Sequence, residues 1–116
     1  MIGPGYGTEI NNGQVLTALH IAIRMEYPFT YADIEKDIAI IQTGHSNKYN
    51  LRFVSSVSDF LFTETVPQPG ESGKPYIADG KIHGVIVGES GGYGIAAALD
   101  DVIIQIINRS EELKKK

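Results

Sequence analysis

"VPQPGESGKPYIADGKIHGVIVGES", residues 66–90, sets two β-rich runs, KPYIA and KIHGVIVGE, on either side of Asp79-Gly80. Asp-Gly between apolar runs is a strong short-range hairpin signal, because both residues accept the positive φ that a two-residue hairpin loop demands. The stretch therefore reads as strand–turn–strand, preceded by a second turn that carries Ser72 between Gly70 and Gly73. Gly, Ser and Pro populate turns for ordinary conformational reasons, so taken alone the stretch leaves Ser72 as either a turn residue or a nucleophile.

Working outward, the same period-2 pattern recurs. QVLTAL, DIAIIQT, LRFVSSV, FLFTETV and YGIAAAL are strand candidates, and EINNGQV is a second hairpin signal. The pattern changes near the end. After Asp100 and Asp101, Val102, Ile103, Ile106 and Ile107 fall at helical spacing, with lysines at the far end, which predicts a capped amphipathic helix over 100–113. The expected fold class is thus all-β with one C-terminal α-helix. TGHSNKYN, residues 43–50, is the most loop-like segment and the expected boundary between an N-terminal half (1–45) and a second half (46–99) of one domain.

The totals bound the function. A chain of 116 residues holds one compact domain, and 42% hydrophobic with 21% charged residues is an ordinary globular composition. A net charge of -4 offers no basic field for nucleic acid, so none is expected as a partner. The absence of cysteine excludes disulfides and thiolate chemistry. Three scattered histidines make no metal-ligand cluster, so neither metal nor cofactor is expected. No apolar run reaches the length of a membrane span, and the start MIGPGYGTEI lacks the pattern of a signal peptide; the expectation is a soluble, cytoplasmic protein.

For Ser72 to be a nucleophile it needs a base, a group to orient that base, and amide donors for a developing oxyanion. Gly70 permits dihedrals that would turn the Gly70 and Ser72 amides towards such an oxyanion. His20 ends the run GQVLTALH, where a polar ring emerges from an apolar segment; Asp37 heads the apolar run DIAIIQT. Singly, the first also reads as a satisfied core histidine and the second as a cap or turn acid. His45 and His83 are weaker base candidates by context. The glycine-rich GESGGYG, residues 88–94, lacks the Lys-Ser/Thr ending of a phosphate loop and carries little weight.

Together these segments resemble a known family. GQVLTALHI resembles the histidine segment of chymotrypsin-like serine proteases, DIAII their aspartate segment, and PGESGKP their serine loop, in the chymotrypsin order His, Asp, Ser. GYGTEINNGQVLTAL and FTETVPQPGESGKPYIADGKIHGVIV extend the likeness to the HtrA/Deg-type members. The resemblance implies a reduced chymotrypsin-like double β-barrel closed by the helix. It makes Ser72 the nucleophile, His20 the general base, Asp37 the orienting acid, and the Gly70 and Ser72 amides the oxyanion hole. It makes Gly84, Val85, Ile86, Val87 and Gly88 the strand that pairs with substrate backbone and forms one wall of the specificity pocket, with Val66 near the pocket floor, Glu89 at its entrance and Gly94 among the substrate-binding glycines. An apolar floor and the nearby glycines imply a small or aliphatic substrate side chain.

The intervals between His20, Asp37 and Ser72 are shorter than the family's, so strands and hairpins are missing, and Lys74 and Leu19 stand where the family has glycine and alanine. An open barrel exposes strand edges, which implies a homo-oligomer, most simply a twofold dimer. The leading expectation is a minimal serine endopeptidase acting on polypeptide through an acyl-enzyme at Ser72. The alternative is a non-catalytic β-barrel module, structural or peptide-binding, such as a virion or assembly component, descended from such a protease. A third reading is a protease that cuts once in its own precursor.

Overall fold

A computed structural model of the protein describes residues 6–11, 14–42, 51–64, 67–68 and 70–115. Nine strands and two helices lie within them, in the order β1 (Thr8–Asn11), β2 (Gln14–Ala18), α1 (Leu19–Arg24), β3 (Phe29–Asp33), β4 (Ile38–Gln42), β5 (Arg52–Phe53), β6 (Phe60–Thr63), β7 (Pro75–Ala78), β8 (Lys81–Ser90), β9 (Tyr93–Ala98) and α2 (Asp101–Lys115). The architecture is all-β with a C-terminal helix, as the alternation predicts.

The strands form two sheets. The first is antiparallel with order β1-β2-β4-β3; the second has order β5-β8-β9-β6, with β7 also paired to β8, and one of the two curls into half a barrel. The Asp79-Gly80 hairpin forms as read: Ala78 pairs with Lys81, and φ is +53° and +69° at the two loop residues, the positive pair of a type I′ turn. Ser90 pairs with Tyr93 across Gly91-Gly92, so the glycine-rich 88–94 stretch is a second tight hairpin. The turn residues of EINNGQV, and the whole of 43–50 with His45, lie outside the described residues.

Why DIAII is apolar throughout becomes clear from its position. β4 is an inner strand of the first sheet and is buried on both faces, so alternation has no polar side to show. Ile38 and Ile40 face one cluster, together with Leu16, Ile82, Val85, Ala97, Leu99, Ile103 and Ile107, which joins both sheets to α2. Ala39 and Ile41 face another, with Val15, Leu19, Ile21 and Ala22, which α1 covers. Full burial of each such Ile or Leu is worth about 1.5–3 kcal/mol.

Helix α2 starts where Asp100 caps it. Its Oδ1 accepts the Ile103 N–H at 2.9 Å and its carbonyl accepts that of Ile104 at 3.0 Å. The other Asp100 oxygen lies 3.5 Å from Nζ of Lys36, which is buried in the β3–β4 turn, so one carboxylate joins the helix start to the first sheet. Burial, then the Asp100 and Asp33 carboxylates, hold the nearby Tyr31 hydroxyl above its ordinary pKa.

Three details differ from the sequence reading. His20 does not end a strand: β2 stops at Ala18 and His20 sits in the first turn of α1, a six-residue helix that alternation does not reveal. Strand β3, FTYAD, is a further strand beyond those the alternation predicts, and LRFVSSV yields only the two-residue β5. Asp37 precedes β4 instead of opening it, in the left-handed region at φ +59°.

Candidate active site

Helix α1 is too short to be stable alone, and its N-cap residue Ala18 has no side chain with which to bond the free amides of the first turn. Asp37 supplies those acceptors from the neighbouring turn. Its carbonyl accepts the Leu19 N–H at 2.9 Å and its Oδ1 accepts the His20 N–H at 2.8 Å. Its Oδ2 lies 2.5 Å from Nδ1 of the His20 ring. An ionised carboxylate can only accept, so in the neutral ring this contact selects the tautomer with the proton on Nδ1 and the lone pair on Nε2. Both side chains are about one-third exposed, 36% for His20 and 31% for Asp37, so the pair is partly open to solvent.

The serine turn is fixed by a different set of bonds. The Glu71 N–H donates to Gln68 O at 3.1 Å, closing a turn whose third residue, Gly70, has φ +89°. Positive φ at that position is the left-handed region that glycine adopts without steric cost. The Gly73 N–H donates to Ile86 O at 2.7 Å, the Ile86 N–H to Lys74 O at 2.8 Å, and the Lys74 N–H to Glu71 O at 3.1 Å. These bonds engage the amides of 71, 73 and 74. The Gly70 and Ser72 amides donate to no acceptor among the described residues, which leaves the two expected oxyanion donors unspent.

Lys74, in place of a second glycine, has a visible role. Its Nζ lies 2.7 Å from Glu71 Oε2 and 5.2 Å from the centre of the Tyr6 ring. The Lys74 hydrogen bond, with a further one from the Gln68 N–H, holds the Glu71 carboxyl below its ordinary pKa. Leu19, in place of alanine, is buried in the α1 cluster.

Beside Ser72 lies a cleft of about 180 Å³, lined by Pro67, Gln68, Gly70, Ser72, Gly88 and Glu89. β7 pairs with β8 only as far as Val85; Gly88, Glu89 and Ser90 pair with β9, and among the described residues no strand pairs with the other edge of this segment where it passes the cleft. Of the expected substrate-binding residues, Gly88 and Glu89 therefore line the cleft. Val85 and Ile86 turn their side chains into buried positions, and Gly94 is buried opposite Glu89 on β9. Val66 lies outside the described residues.

The structure thus joins His20 to Asp37 directly and gathers Ser72, Gly70 and Glu89 around one cleft. Among the described residues no hydrogen bond links Ser72 Oγ to His20. His83 is occupied elsewhere: its Nε2 lies 3.1 Å from Ala78 O and its ring tilts against Tyr76, a satisfied strand histidine. The Thr17 hydroxyl donates to Tyr6 O at 2.7 Å, a contact whose only signal in the sequence is a hydroxyl inside the apolar QVLTAL. No group of three or more metal-ligating side chains converges among the described residues. No helix among them is long and apolar enough to cross a membrane.

No protein-family model matches the chain, and no match to it was found among curated proteins. What the site can do is therefore decided by its own residues.

Proposed function

We propose that the chain is a minimal serine endopeptidase with a reduced chymotrypsin-like fold. The observation that carries this is the Asp37–His20 pair: one carboxylate fixes the ring tautomer and the backbone at once, leaving Nε2 as the base. A histidine kept only for packing needs no such double hold.

In the proposed reaction Ser72 Oγ attacks the scissile carbonyl while its proton passes to His20 Nε2. The oxyanion accepts from the unspent Gly70 and Ser72 amides. His20 then returns the proton to the leaving amine, and water, deprotonated by the same nitrogen, hydrolyses the Ser72 ester. Substrate lies extended along the free edge of β8, held by backbone hydrogen bonds, with one side chain in the 180 Å³ cleft. Phe62 on the edge strand β6 is 65% exposed, and a second copy of the chain covering such edges accounts for it. Light scattering behind size exclusion tests that dimer.

One observation favours a second reading, a peptide-binding module without catalysis: the missing Ser72–His20 hydrogen bond. Catalytic hydrogen bonds are often loose until substrate arrives, so the protease reading is preferred. A fluorophosphonate probe, scored by intact mass with Ser72→Ala and His20→Ala as controls, separates the two. One adduct per wild-type chain, lost in both variants, supports the protease; no adduct on a chain folded by circular dichroism supports the module.

A further inference from the structure

The His20–Asp37 pair belongs to the first sheet and the Ser72 turn to the second, so their relative position depends on whatever crosses between them. Thr17 stands on β2 just ahead of His20, and it is fully buried. A buried hydroxyl is costly unless bonded, and this one donates to Tyr6 O at 2.7 Å. The Tyr6 N–H in turn donates to Ser72 O at 2.8 Å. Gly73 is pressed into the same place, with Tyr6 O and Thr17 Oγ1 occupying the space that a Cβ would need. Above them the Lys74 ammonium, tied to Glu71, rests on the Tyr6 ring.

We propose that Thr17 is a positioning residue for Ser72: its hydroxyl fixes the Tyr6 backbone, which fixes the Ser72 carbonyl, so that strand β2 sets the serine relative to the histidine on helix α1, which follows it directly. The proposal rests on the protease reading insofar as Ser72 is taken as the nucleophile. The hydroxyl is the only part of Thr17 that valine lacks, so Val in its place keeps the shape and loses the donor, while serine keeps the donor.

The test measures fluorophosphonate labelling of wild type, Thr17→Val and Thr17→Ser as a rate, a final stoichiometry and a pH profile, beside amide exchange of Tyr6 by NMR. Thr17→Val should reach wild-type stoichiometry about 10- to 100-fold more slowly, the scale of a misplaced reacting group. Its pH midpoint should not move, since His20 and Asp37 are untouched, and Thr17→Ser should recover most of the rate. Equal rates in Thr17→Val and wild type overturn the proposal and leave the nucleophile standing. If wild type is not labelled, the protease reading falls and exchange decides: Tyr6 protection lost in Thr17→Val and kept in Thr17→Ser supports the clamp, and unchanged protection overturns it. Should Thr17→Val fail to fold, Tyr6→Pro, which removes the N–H, is compared with Tyr6→Ala, which keeps it. Slower labelling or faster Gly73 amide exchange in the proline variant alone supports the clamp; equality overturns it.

Discussion

Asp37 holds His20 by backbone and ring together, Oδ1 accepting its N–H at 2.8 Å and Oδ2 facing Nδ1 at 2.5 Å. The same residue sits at φ +59°, where asparagine is among the few side chains tolerated without strain. Asp37→Asn should therefore keep the turn and most of the cap on α1, while its amide no longer enforces the Nδ1–H tautomer. Labelling of Ser72 should fall by at least about 10²-fold with little change in melting temperature. Asp37→Ala should lose the cap as well and melt earlier, by the equivalent of about 1–2 kcal/mol.

Gly73 should be intolerant of any side chain. An added Cβ would lie 1.8 Å from Tyr6 O and 2.7 Å from Thr17 Oγ1, and φ is +96°. Backbone cannot yield there without breaking the Tyr6–Ser72 bond, so Gly73→Ala should cost about 3 kcal/mol or more and abolish labelling. At Gly80, with φ +69° and nothing within 4 Å, alanine meets only the conformational penalty of about 1–2 kcal/mol. Urea midpoints of the two variants check the contrast.

How much of this was legible in the sequence differs by residue. Asp79-Gly80 specified its hairpin because two-residue loops leave few alternatives, and Asp100 marked the start of α2 because caps are local. Helix α1 is not legible in the sequence because six residues of LHIAIR cannot display a helical period; the Asp37 acceptors that support it come from elsewhere in the chain. His20 and Asp37 were identifiable by type and order, yet their contact is a tertiary fact. Tyr6 was invisible for a stronger reason: it acts on Ser72 and Thr17 through its backbone, and composition is silent about which amide a carbonyl meets.

Glu71 and Lys74 predict an acid-side dependence. The Glu71 pKa is lowered in the fold, first by the Lys74 hydrogen bond, so the pair's contribution is fully present above the ordinary carboxylate pKa of 4.5. It is lost as pH falls through the depressed value. Lys74→Met should leave labelling at neutral pH largely intact, remove this acid-side loss of loop order, and make the Gly73 amide exchange faster above pH 4.5 than in wild type. Raising salt should imitate the substitution in wild type, because the pair is partly exposed.

Asp100 and Lys36 should prove unequal partners. Lys36 is only 8% exposed at its side chain, whereas Asp100 is 35% exposed and also caps α2. Removing the carboxylate with Asp100→Ala takes away the cap, worth about 1 kcal/mol, and strands a buried ammonium, which costs about 3–5 kcal/mol in comparable cases. Lys36→Met leaves the cap in place and substitutes an apolar chain of similar length in a buried position, so it should fall within about 1 kcal/mol of wild type. Asp100→Asn should lie between them, since its side-chain oxygen can still accept the Ile103 N–H. Adding Lys36→Met to Asp100→Asn should recover most of the loss, because the unpaired charge is then gone. Urea midpoints in the order Lys36→Met, Asp100→Asn, Asp100→Ala, from most to least stable, would establish that the buried lysine depends on the acid more than the fold depends on the lysine. A Lys36→Met variant as unstable as Asp100→Ala would mean instead that the pair itself ties α2 to the first sheet.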